Sequence, residues 1–170
     1  MQILEKHFTD TFATYITMKI LCDQMLGTLA KWLRLLGFDT YYAGMSMKDE
    51  DLIAIAQREN RCLITRDKLL VQRAKRRDIP VIHIQTTNLE EQLHRVLIEE
   101  PLDETLFLSR CSVCNTPLKN IDKEEVKDKV PEKVYEHQEI FWICPGCQKI
   151  YWKGSHFDNI IKKINALQSQ

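Results

Sequence analysis

Glycine is scarce in this chain, with five in 170 residues. None falls in the spacing of a P-loop or of the dinucleotide-binding G-x-G-x-x-G turn, which weighs against an enzyme built around a nucleotide cofactor. No apolar run approaches the roughly 18 residues that a membrane-spanning helix requires. The first 17 residues mix polar and aromatic side chains without the continuous apolar segment of a secretory signal. The expectation is a soluble, cytoplasmic protein with no membrane partner. An excess of one charge is missing too: 24 basic residues balance 24 acidic ones, so bulk charge argues for neither nucleic acid nor a membrane surface. The distribution says more. Arg66, Lys68, Arg73, Lys75, Arg76 and Arg77 crowd one segment, and Glu90, Glu91, Glu99, Glu100, Asp103 and Glu104 crowd the next.

What is present is a hydrophobic fraction of 44%, enough for a real core, arranged from Met18 onward in alternating patterns. Lys19-Ile20-Leu21-Cys22 reads as a short apolar strand. Met25, Leu26, Leu29, Trp32, Leu33 and Leu36 recur at helical spacing, with Gln24, Thr28, Lys31 and Arg34 on the other face. Gly37 stands where a helix C-cap belongs, and Phe38 to Ala43 reads as a second strand. Asp49 is expected as the N-cap of a helix with Leu52, Ile53, Ile55 and Ala56 on its apolar face. Cys62 to Thr65 gives a third strand, KLLVQRAKRR a basic amphipathic helix, and Val81 to Ile84 a fourth strand. Asn88, with Glu91 three residues on, has capping-box spacing before a helix through Leu97. Such alternation implies an α/β fold, a parallel sheet flanked by helices, and ligands then bind beyond the carboxyl ends of the strands. Near residue 105 the alternation stops. Residues 1–17 fit poorly with the strand–helix pattern that begins at Met18 and are expected to be an extension ahead of it. Ile160, Ile161, Ile164 and Leu167 have the spacing of a final helix packed on the body.

Three aspartates fall at element ends. Asp23 follows the first strand, Asp67 the third, and Asp49 opens the helix before that third strand. Each alone suits a cap or a turn. Together, on one edge of a parallel sheet, they repel by roughly 4 kcal/mol per pair at about 4 Å and an effective dielectric of about 20. A divalent cation relieves that cost, and oxygen ligands suit Mg²⁺ or Mn²⁺. Glu50 and Asp51 neighbour Asp49 and are alternative ligands. Asn88, past the fourth strand, is either a further ligand or an N-cap.

Six cysteines divide into two groups. Cys22 and Cys62 lie in apolar runs and read as buried small hydrophobes. Cys111-x-x-Cys114 and Cys144-x-x-Cys147 have the spacing of two knuckles expected to complete a tetrahedral Zn²⁺ site with no open position, hence a structural one; two disulfides or a redox pair would better suit a secreted or thioredoxin-like chain. Trp142, Tyr151 and Trp152 around the second knuckle are either core of this small module or, with Lys153, Ser155 and His156, a surface that stacks bases and holds phosphate.

The stretches MKILCDQMLGTLAKWLRLLGFDT, LITRD, the two Cys pairs and YWKGSHF, in that order, resemble the Mut-seven C-terminal RNase domain family. The resemblance covers Met18 to about Phe157. It implies a PIN-like parallel sheet flanked by helices, followed by a small zinc-ribbon module. The expected layout is an extension over 1–17, a PIN-like nuclease domain over 18–105, a zinc ribbon over 106–157 and a helical tail over 158–170. The implied activity is metal-dependent ribonuclease action, with Asp23, Asp49 and Asp67 carried over as strand-tip acids and no match for a fourth acid. RNA is the expected partner, single-stranded DNA a further one. Lys31, Arg34, Arg66, Lys68, Arg73, Trp152, Lys153 and His156 are the expected nucleic-acid contacts. The alternative is an inactive PIN-like module that binds RNA or protein.

Overall fold

Two β-sheets of opposite character divide the chain. The computed structural model describes residues 18–44 and 46–168; the expectations for residues 1–17 and for the Leu167 side chain lie outside the described residues. The larger sheet is made of β1 (Ile20–Cys22), β2 (Thr40–Tyr42), β3 (Cys62–Thr65) and β4 (Val81–His83), all parallel, in the order β2-β1-β3-β4. The helices α1 (Gly27–Leu35), α2 (Asp49–Glu59), α3 (Lys68–Lys75) and α4 (Leu89–Leu97) flank it.

Side chains alternate across a strand, so this sheet feeds two cores. Ile20, Cys22, Ile64 and Ile82 face α1 and α4, with Leu29, Leu33, Leu93 and Val96. Leu21 and Leu63 face α2 and α3, with Leu52, Ile53, Leu70 and Ala74. Burial on both faces explains why these strands are continuous apolar runs rather than alternating ones. Cys22 and Cys62 are buried in the first core.

The second sheet, β5 (Lys119–Ile121), β6 (Phe141–Ile143) and β7 (Ile150–Tyr151), is antiparallel, with α5 (Glu132–His137) between its first two strands. The last helix, α6 (Ser155–Gln168), returns to the main body. Phe157, Ile160 and Ile164 enter the α1–α4 core, and Lys163 Nζ lies 2.7 Å from Glu90 Oε1.

Two sequence expectations need correction. Asp49 is the first helical residue of α2, not its cap. Lys48 holds the cap position, and the Asp51 carboxylate accepts from the Lys48 amide at 3.0 Å. Arg34 does not share the exposed face of α1 but is 7% exposed. Its Nε donates to Thr40 O at 2.9 Å, and its Nη1 donates to Ser112 O at 3.0 Å and Val113 O at 2.9 Å. Helical spacing placed it outward; three backbone carbonyls draw it in.

Those bonds belong to a seam between the first cysteine knuckle and the α1–β2 turn. Leu108 N donates to Leu35 O at 2.8 Å. Gly37 takes φ +100° as the chain leaves α1, and a Cβ there would lie 2.5 Å from Leu106 Cβ, so only glycine fits. Thr40 N donates to Asn115 Oδ1 at 3.2 Å, and Asp39 accepts from Asn115 Nδ2 at 2.8 Å and from Arg61 Nη1 at 2.9 Å. Thr40 pairs with Ile20, both at the amino ends of their strands. The cysteine module is therefore docked at the edge of the sheet opposite the strand tips that carry Asp23 and Asp67.

Candidate active edge and four-cysteine centre

At the carboxyl edge, β1 and β3 are neighbours, and that pairing puts the residues just past their ends side by side. Asp23 is 3% exposed. Its Oδ1 accepts from the Met25 amide at 2.8 Å, the start of a short 3₁₀ turn, and its Oδ2 accepts from the Thr65 hydroxyl. The same Thr65 oxygen accepts from the Asp67 amide at 2.9 Å. One hydroxyl thus ties both strand tips together. Asp67 caps α3, its Oδ1 accepting from Leu69 N at 2.6 Å and Leu70 N at 3.2 Å. Among the described residues no Lys or Arg is paired with Asp23, although a buried carboxylate is ordinarily paired or coordinates a metal.

Asp49 is placed otherwise. Its Oδ2 lies 3.2 Å from Arg73 Nη1, which also reaches Glu50 Oε1 at 3.2 Å. These residues line a cleft of about 220 Å³ with Ile53, Arg76 and Arg77. Asp51 is spent on its helix cap, and Asn88 on another, its Oδ1 accepting from Glu91 N at 3.0 Å. Asp23, Asp49 and Asp67 do not form a group with ligand atoms within 4.8 Å; among the described residues the four cysteines are the group that does. As oxygen donors, Asp23 and Asp67 fit a hard divalent ion; Asp49, as placed, is committed to Arg73.

Of the expected nucleic-acid contacts, Lys31, Lys68, Arg73, Lys153 and His156 are exposed, and Arg66 and Trp152 are half-buried. Arg34 is withdrawn from solvent, as described. Arg66 and Lys68 line a cleft with Met25, His83, Ile84 and Gln85. Trp152 lines another, of about 280 Å³, with Trp32 and Tyr151, and the His156 ring lies 5.2 Å from that of Trp32. Sequence reading missed Thr65. The signal was there: a threonine two residues ahead of an aspartate at a strand end is an ST-turn, whose hydroxyl accepts a backbone amide.

Cys111, Cys114, Cys144 and Cys147 bring their sulfurs together, Cys111 to Cys147 at 3.5 Å and Cys114 to Cys144 at 3.4 Å. A disulfide needs about 2.05 Å; a tetrahedron with Zn–S near 2.3 Å has edges of about 3.8 Å. The cluster can therefore hold a metal ion such as zinc. Amides of Val113 and Cys114 point at Cys111 Sγ from 3.4 and 3.5 Å, and that of Cys147 at Cys144 Sγ from 3.4 Å. Tyr151 Oη lies 3.1 Å from Cys111 Sγ and 3.1 Å from the Ser112 amide, fixing the first knuckle on β7. Hydrogen bonds from Thr116 bring the Cys114 thiol down to about 6. Cys147 goes the other way: against a lowering backbone hydrogen bond from Lys149, burial and the neighbouring sulfurs raise its thiol to about 12, so the geometry of the four sulfurs and not their acidity supports a metal site.

No helix among the described residues is long and apolar enough to cross a membrane. Nothing among curated proteins matches the chain. The family model described as the Mut7-C RNAse domain matches residues 18–164. With an α/β parallel sheet, strand-tip acids and a four-cysteine centre inside that span, the chain belongs to the Mut7-C RNAse domain family.

Proposed function

We propose that this chain is a ribonuclease that hydrolyses RNA phosphodiester bonds at the carboxyl edge of its parallel sheet. The observation that carries the reading is Asp23, a carboxylate 3% exposed, held by two hydrogen bonds and paired with no cation among the described residues. A buried charge of this kind costs several kcal/mol unless a positive partner offsets it. Asp23 and Asp67 would hold Mg²⁺ or Mn²⁺. A divalent ion bound there supplies an activated water and positive charge facing the phosphoryl oxygens.

The chain's own residues set the stage for that chemistry. Thr65 fixes the Asp23 carboxylate and the Asp67 backbone in one arrangement. The amides of Leu69 and Leu70 hold one Asp67 oxygen and leave the other for the ion. Asp49 is the third acid of the proposal, and Arg73 has to release it before it can join. Arg66 and Lys68, beside Asp67, meet the phosphate backbone. The four cysteines hold a structural Zn²⁺, and Trp152, Lys153 and His156 give the ribbon a second RNA contact far from the cut.

Cleavage of labelled RNA in Mn²⁺ tests this. Asp23→Asn and Asp67→Asn are each expected to lose activity about 10²–10³-fold, the scale of a charge-stabilising group, and Asp49→Asn less than either. Equal trace cleavage by wild type and both variants would sink the nuclease and leave the binding module.

A further inference from the structure

The order β2-β1-β3-β4 leaves β4 paired on one side only. Two clefts run along this outer strand. One, about 540 Å³, is lined by Lys75, Val81, His83, Gln85, Thr86 and Arg95 among others. The other, about 350 Å³, is lined by Met25, Arg66, Lys68, His83, Ile84 and Gln85. They share His83, Ile84 and Gln85, so they adjoin at the end of β4, two stretches of one candidate channel. Its near end abuts the acid pair through the chain itself: Arg66 stands between Thr65 and Asp67, and the Met25 amide is the donor to Asp23.

The channel's lining carries four cations and no carboxylate. Arg95 has an exposed partner, Glu99 at 2.9 Å four residues on, which a phosphate can replace. The contrast is with the cleft on the other side of α3, where Arg73 is bound to Asp49 and Glu50, both in the lining. A polyanion entering there would meet carboxylates. Met25, 59% exposed, and the His83 ring give the channel flat and soft surfaces against which an unpaired base can lie.

We infer that this channel is the RNA track: a single strand lies along the free edge of β4, its phosphates on Arg66, Lys68, Lys75 and Arg95, and its scissile bond at Asp23 and Asp67. The inference takes its ligand from the nuclease reading, so its test separates the two.

Binding of a short fluorescent oligouridine is measured by anisotropy without added divalent ion on Asp23→Asn, whose cutting is expected to be about 10²–10³-fold slower. Adding Lys75→Glu with Arg95→Glu is expected to weaken binding about 10-fold or more. It should also flatten the slope of log K against log salt by about 1.4, two single-strand phosphate contacts at about 0.7 each. Arg76→Glu with Arg77→Glu, on the other side of α3, is expected to stay within about twofold. Lys75→Gln with Arg95→Gln repeats the effect with the same sign and smaller size, which guards against a folding defect of the double reversal. In the chain that retains Asp23, the Lys75/Arg95 pair raises KM for the oligouridine and leaves kcat within about twofold. Undiminished binding by the Lys75/Arg95 pair, an equal loss from the Arg76/Arg77 pair, or no RNA binding by the parent overturns the track. Selective loss of binding in a chain that never cuts RNA keeps the track and overturns the nuclease alone.

Discussion

Thr65 is the residue on which the proposed active edge turns. It is fully buried, donates to Asp23 and accepts from the Asp67 amide. Thr65→Val keeps the shape and removes the hydroxyl, leaving Asp23 with the Met25 amide alone. Unsatisfied buried polar groups cost about 1–3 kcal/mol, so urea unfolding should show a loss of that size. Thr65→Ser should restore most of it. An unchanged midpoint for Thr65→Val would mean that the hydroxyl is not what holds the acids. The motif LITRD gave both the strand and the aspartate at its tip, because an apolar run ending in turn residues is a local signal. The threonine's turn onto the Asp67 amide was legible, but its bond to Asp23 was not, since that depends on β1 lying beside β3, a pairing between residues 42 apart in sequence.

At the scale of elements, the α1–β2 turn is where local and long-range forces disagree. Helical spacing gave α1 and its glycine stop correctly, yet put Arg34 outside. The spacing reports distance from the sheet; it is blind to a knuckle whose carbonyls arrive from residues 111–115. Asp39 in the same turn titrates low. Burial pushes its carboxyl up, but hydrogen bonds from Arg61 and Asn115, with the charges of Arg61 and Arg110, pull it below the ordinary carboxylate value of 3.8. A depressed folded pKa stabilises the fold above the unfolded pKa, and the gain disappears as pH falls through the folded value. The stability difference between wild type and Asp39→Asn should therefore be constant from neutral pH down to about 4 and shrink below it. Paired urea titrations measure this, and a difference that persists unchanged into acid would show that Asp39 acts by shape rather than charge.

For the whole molecule, the two sheets differ in what holds them. The parallel sheet has two apolar cores of its own. The antiparallel sheet has little: Cys111, Cys144 and Tyr151 are its cluster, with Val126 and Phe141 buried nearby. Structural zinc contributes about 10–16 kcal/mol in comparable small modules, so with zinc as the ion the metal outweighs that core. Removing it should open the ribbon while the parallel sheet stands. The six cysteines report on this directly, because Cys22 and Cys62 lie in the parallel sheet and the other four in the cluster. Burial raises both of the former, Cys62 to about 11, so they are slow nucleophiles as well as shielded ones. A thiol reagent added to the metal-loaded chain should label none of the six quickly. After chelation it should label four, at residues 111, 114, 144 and 147, with Cys22 and Cys62 reacting only in denaturant. Peptide mapping of the label distinguishes the outcomes. Simultaneous labelling of all six after chelation would mean that the seam of Arg34, Asp39 and Asn115 couples the sheets into one cooperative unit, and that the metal supports the acid edge from the far end of the strands.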